Sequence, residues 1–181
     1  MLYSYHLKFE KMITMLVIQF PEKWTPGYTD NFVSNEVIVK DLDFTKVLDG
    51  LLDAAKWETY YDNSSDIFMY NQENTILNNN TRFRFKTFGF DVEAQVEEYA
   101  LDQEAGSLRL AWHGWNEEEG DGFLEVYHAW LVERLDKNRV RILTQESQIG
   151  TPAKELAKST PNTMLNGHQA WLDGLVRFAQ N

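Results

Sequence analysis

A chain of 181 residues, 43% apolar and 14% aromatic, is long enough to bury one sizeable core and too apolar to stay disordered. Its formal charge of −11, with no Lys/Arg cluster, repels a phosphate backbone and excludes nucleic acid as a partner. The absence of cysteine removes disulfides, thiolate nucleophiles and cysteine-based metal centres. The first twenty residues are interrupted by Lys8, Glu10 and Lys11, and their apolar run from Met12 to Ile18 is short. No apolar run approaches the length of a membrane span. The expectation is a cytoplasmic protein with an N-terminal extension, residues 1–20, and one domain over residues 21–181.

In chain order, "EVIVK" from Glu36 to Lys40 reads as a strand. Asp43 is placed to cap a helix over Phe44–Asp53, whose Val47, Leu48, Leu51 and Leu52 have i, i+3, i+4 spacing. A second short helix around Ala55–Tyr61 carries Trp57. "DIFMYNQ" is a short strand, followed by the polar loop "ENTILNNN". From Thr81 nearly every segment alternates with the period of a strand. Phe83 and Phe85 alternate with Arg82, Arg84 and Lys86, and Gly89 marks a tight turn. Phe90, Val92, Ala94 and Val96 form one face of the next strand, and Leu108, Leu110 and Trp112 form one face of the strand after it. "EVYHAW" and "RVRILTQESQ" supply two more strands, joined by "DKN". Clean alternation predicts an antiparallel sheet with one wet and one covered face. The cover is a C-terminal helical segment with Thr151-Pro152 and Thr160-Pro161 as cap-proline pairs. Its apolar stripe is Met164, Leu165, His168, Trp171, Leu172, Leu175 and Val176.

The segments "FVSNEVIV", "WETYYDNSSDI", "TRFRFKTFGF", "LAWHGW", "YHAWLVE", "RVRILTQESQIG" and "NGHQAWLDGL", in that order, resemble the SRPBCC superfamily. That superfamily has the helix-grip fold of START lipid-binding domains, pollen allergens and polyketide cyclases. The chain is similar in particular to bacterial members of the polyketide cyclase/dehydrase and lipid transport type. The resemblance implies an α+β fold: a strongly curved antiparallel sheet wrapped around a long C-terminal helix, with two short helices between the first and second strands. It also implies a cavity between sheet and helix. Where a glycine is expected before "TRFRF", this chain has Asn79 and Asn80, which tolerate left-handed backbone.

Strand parity places one ionisable ring, His128, in the apolar row Leu124, Val126, Trp130 and Val132. If "LDKNR" is the hairpin loop, His128 faces Glu146 and Trp130 faces Thr144, with Cβ atoms about 4.5–5.5 Å apart. A shift by two residues would put His128 opposite Thr144 or Gln148, and parity forbids a shift by one. His168 points from the helix towards the same interior. Three readings follow. The polar groups form a satisfied structural network, or they are the polar end of a ligand pocket, or His128 is an acid/base oriented by Glu146. The expected wall comprises Trp57, Phe83, Phe85, Val96, Leu110, Trp112, Trp130, Thr144, His168 and Trp171, around a small hydrophobic or amphiphilic guest. Two imidazoles and a carboxylate suit Fe(II) or Zn(II) by type, but none has local ligand spacing, so no metal and no other cofactor is expected. His113 is expected to be solvated on the outer face, and Asp62 and Asn63 to lie at the cavity mouth. No nucleotide-binding or serine-nucleophile motif is present, and oligomeric state is not legible.

Overall fold

A computed structural model of the protein describes residues 17–136 and 138–181. Seven antiparallel strands form one sheet: β1 (Asn31–Lys40), β2 (Ser64–Met69), β3 (Arg82–Thr87), β4 (Phe90–Asp102), β5 (Ser107–Trp115), β6 (Glu125–Arg134) and β7 (Arg139–Ile149). Their spatial order is β1-β7-β6-β5-β4-β3-β2. Each sequence-adjacent pair from β2 to β7 is a hairpin, and β1 closes beside β7. Between β1 and β2 lie helix α1 (Phe44–Leu52), a 3-10 turn (Ala54–Lys56) and the short helix α2 (Trp57–Tyr60). Asp43 caps α1 by accepting from the Thr45 and Lys46 amides, as its position predicts. Two helices follow the sheet, α3 (Thr151–Lys158) and α4 (Thr163–Gln180). This is the α+β helix-grip arrangement. The sheet's inner side and α4 enclose a core containing Trp57, Phe83, Trp112, Trp130 and Trp171.

The hairpin chemistry is local. Phe88 and Gly89, with φ of 51° and 80°, turn β3 into β4 with left-handed backbone at both central positions. Asn80 takes φ of 63° before β3, the conformation its side chain tolerates. A bulge between Val96 and Glu98 lets β4 bend without losing its inward face.

Four expectations need correction. The outer face is not uniformly wet. The short turn Glu22–Trp24 lays Trp24 on Ala111, Tyr127 and Ala129, with Ile18 and Phe20 beside it. Residues 18–20 therefore pack on the domain, while the rest of the expected extension, residues 1–16, lies outside the described residues. His113, under this cover, is half-buried, ring-stacked on Trp115 and 3.1 Å from Glu125. Neither threonine caps a C-terminal helix: Gly150 precedes α3, and Asn162 caps α4 by accepting from the Met164 and Leu165 amides. The shorter carboxamide one residue past Pro161 reaches both orphan amides, so α4 starts later than the proline suggests. Leu165 is also turned out, 40% exposed, because α4 presents Gly167 and Gly174 to Phe88 and Tyr60.

Candidate functional site

The hairpin register puts His128 directly opposite Glu146, and Trp130 opposite Thr144. On its other side His128 pairs with Trp112. The inward row of β7 continues Thr144, Glu146, Gln148, all buried. From the helix, His168 stacks on His128 with ring centroids 4.6 Å apart and planes 7° from parallel. The three groups nominated from parity and periodicity do converge.

Their hydrogen bonds form a directed chain. His128 Nδ1 lies 3.0 Å from Glu146 Oε2, and its Nε2 lies 2.7 Å from Thr144 Oγ1. A carboxylate accepts only, so Nδ1 carries the proton and Nε2 accepts from the Thr144 hydroxyl. The other Glu146 oxygen accepts from Gln148, whose own oxygen accepts from Asn31 Nδ2 at 2.6 Å. Asn31 in turn accepts from Asn162, the cap of α4. The chain thus runs from β6 through β7 and β1 to the start of the gripping helix. His168 Nε2 stands 3.6 Å from Glu146 Oε2, and His168 Nδ1, though buried, has no hydrogen-bond partner among the described residues.

Burial, opposed by Glu146, lowers the His128 pKa to about 4, so the imidazole is neutral near pH 7. Burial also works against the Glu146 carboxylate. His128 and His168 more than offset that penalty and hold it below the usual carboxylate range. The floor of the site is therefore anionic.

The ligand atoms of His128, Glu146 and His168 all lie within 4.8 Å of one another, the spread of a metal centre. An imidazole binds a metal along a lone pair in its ring plane, about 2.0–2.1 Å from nitrogen for zinc. Two stacked planes 7° apart share no such in-plane point, so these residues as placed do not fit an ion.

A cavity of about 30 Å³ lies over the floor, room for about two waters. Of the nominated residues, Phe85, Trp112, His128, Glu146, His168 and Trp171 line it. Trp57, Phe83, Val96, Leu110, Trp130 and Thr144 do not; they are closely packed core or network members behind it. The wall also contains Thr87, Phe88, Phe90, Val92, Leu124, Val126, Gln148, Leu156 and Met164, none of which was nominated. Parity had already put Leu124, Val126 and Gln148 on the inner face. Phe88 carries no periodic signal, being a turn residue. Its ring rests on Gly167, where an added Cβ would lie 2.1 Å from the ring edge. Asn63 fixes that turn by accepting from the Phe88 amide and donating to the Tyr61 hydroxyl. Asn63 so bears on the mouth only through Phe88; with Asp62 it lines a separate groove beside Tyr60 and Phe178, and neither lines the cavity. A wider groove of about 750 Å³ runs beside β2–β4, past Phe68, Arg84 and Glu118, but it holds none of the inward polar groups.

No model of a known protein family matches the chain, and no curated protein does. Among solved structures, the hypothetical protein jhp0584 from Helicobacter pylori is 69% identical, with a TM-score of 0.88 over 90% of this chain and 96% of that one. The Zhui aromatase/cyclase from a Streptomyces species is 12% identical, with a TM-score of 0.59 over 83% of this chain and 93% of that one. The lipid transfer and protein localization domain of human StarD13 is 11% identical, with a TM-score of 0.57 over 82% and 76%. The last two share the fold.

Proposed function

The chain belongs to one family with the Helicobacter pylori protein, within the SRPBCC helix-grip superfamily, and on that premise we propose that it binds a small amphiphilic molecule between its sheet and α4. The observation that carries this reading is the polarity of the cavity: aromatic and aliphatic walls over a floor with one buried, unpartnered imidazole nitrogen. A purely structural network tends to leave no such atom unpaired. Both nitrogens of His128 are engaged, one by Glu146 and one by Thr144, which argues against His128 as an acid/base. The polar chain to Asn162 also pins α4, so structure and binding share the same residues. No helix among the described residues is long and apolar enough to cross a membrane.

The cavity is far below the roughly 300–1,000 Å³ of drug-sized pockets, so a guest enters by displacing a wall. Phe88 is the wall least costly to move. Its φ of 51° is strained for a residue with a Cβ, and Phe88→Gly removes both ring and strain. Native mass spectrometry and thermal shift with fatty acids, flavonoids and quinones test the reading. We expect one-to-one adducts and raised melting temperatures, larger for Phe88→Gly than for wild type. No adduct and no shift in either protein would contradict it.

A further inference from the structure

The polar residues that line the cavity are Thr87, His128, Glu146, Gln148, His168 and Trp171, and of their atoms Thr87 Oγ1, His168 Nδ1 and Trp171 Nε1 are buried without a hydrogen-bond partner among the described residues. His128 gives its only N–H to Glu146 and takes the Thr144 hydroxyl on its other nitrogen. Gln148 spends an N–H on Glu146. His168 turns Nε2 towards the same carboxylate at 3.6 Å. A lone pair aimed at an anion is repelled, so in the neutral ring the proton sits on Nε2 and Nδ1 is left as a bare acceptor. Around the floor, Phe85, Phe88, Trp112 and Trp171 offer ring faces and edges suited to a flat guest.

We infer that the site selects a small aromatic molecule with a neutral hydrogen-bond-donating head, a phenol or an arylamine, over acceptor-only heads, and rejects carboxylates. This rests on the ligand-binding reading above and sharpens it. A donor head satisfies His168 Nδ1. An aldehyde or ketone oxygen can accept from the Trp171 N–H or the Thr87 hydroxyl, but it leaves His168 Nδ1 bare. A carboxylate adds a second negative charge beside Glu146 in a site with little water to screen it.

Calorimetric titration of Phe88→Gly and wild type with phenol, aniline, toluene, benzaldehyde and benzoate reads the ranking directly, since the ring is constant and only the head changes. Phenol and aniline should bind about tenfold or more tighter than toluene, with benzaldehyde below phenol and benzoate weakest. In His168→Phe, which keeps an aromatic ring at that position, the advantage of phenol over toluene should vanish. Retained toluene binding by that variant shows that it still folds, and a lost preference is thereby distinguished from a lost fold. Toluene, benzaldehyde or benzoate matching phenol would overturn the inference while leaving the cavity reading intact. Absence of binding by all five in both proteins would overturn both.

Discussion

Replacing Trp171 with alanine is expected to lower the unfolding free energy by about 3–5 kcal/mol in denaturant titrations. The indole is almost fully buried at the junction of α4 and the sheet. It stacks on Tyr61 at 4.6 Å and meets Trp57, Trp130 and His128 edge-on at 5.1, 5.2 and 5.5 Å. Trp57 sits on α2 and Trp130 and His128 on β6, elements held by the sheet and the core, so these neighbours cannot collapse into the space left behind. Trp171→Phe should lose less, because an aromatic ring remains between Tyr61 and Trp130. A loss under about 1 kcal/mol for the alanine variant would mean that the aromatic centre is not close-packed. That result would undercut the distinction between solid core and small cavity on which the binding account relies.

The second large effect is on acid stability. Burial holds neutral His128 at a pKa of about 4, against about 6.5 in the unfolded chain. Between those values the unfolded state binds more protons than the folded one, so stability falls as pH falls from about 6.5 towards 4. A shift of this size corresponds to roughly 3 kcal/mol. Glu146, also held low, adds a further loss below about pH 4.5, where the unfolded-state carboxyl takes up a proton and the folded one does not. The His128→Gln protein, compared with wild type in unfolding titrations across this range, isolates the imidazole. Its stability should be flatter between pH 6.5 and 4, whereas parallel curves would mean that His128 is not buried in its neutral form.

Much of the fold was written in side-chain parity. The loop "LDKNR" sets the β6–β7 register, and that register pairs His128 with Glu146 from the sequence alone. The stripe on α4 brought His168 to the same place. What parity cannot report is volume. Trp57, Phe83 and Trp130 face inward like Phe85 and Trp112, yet only the latter two border empty space. That division depends on how indole and phenyl rings fill a curved sheet together, which no single strand encodes. The mouth was hidden for a different reason. Phe88 has no strand period, and its meaning comes from Gly167, some eighty positions later. The cover over Ala111 and Tyr127 was missed because residues 18–24 form no periodic element. His113 looked solvated only while that cover was unknown.

The central claim is that the floor keeps one bare acceptor nitrogen, on His168, for a guest. Long-range proton–nitrogen correlation spectra of the histidine side chains at neutral pH, with and without phenol in Phe88→Gly, observe that nitrogen itself. The account predicts His128 protonated on Nδ1, His168 protonated on Nε2, and a His168 Nδ1 resonance that moves when phenol is added. A His168 ring carrying its proton on Nδ1, or protonated on both nitrogens, or unmoved by phenol at saturation, would contradict it.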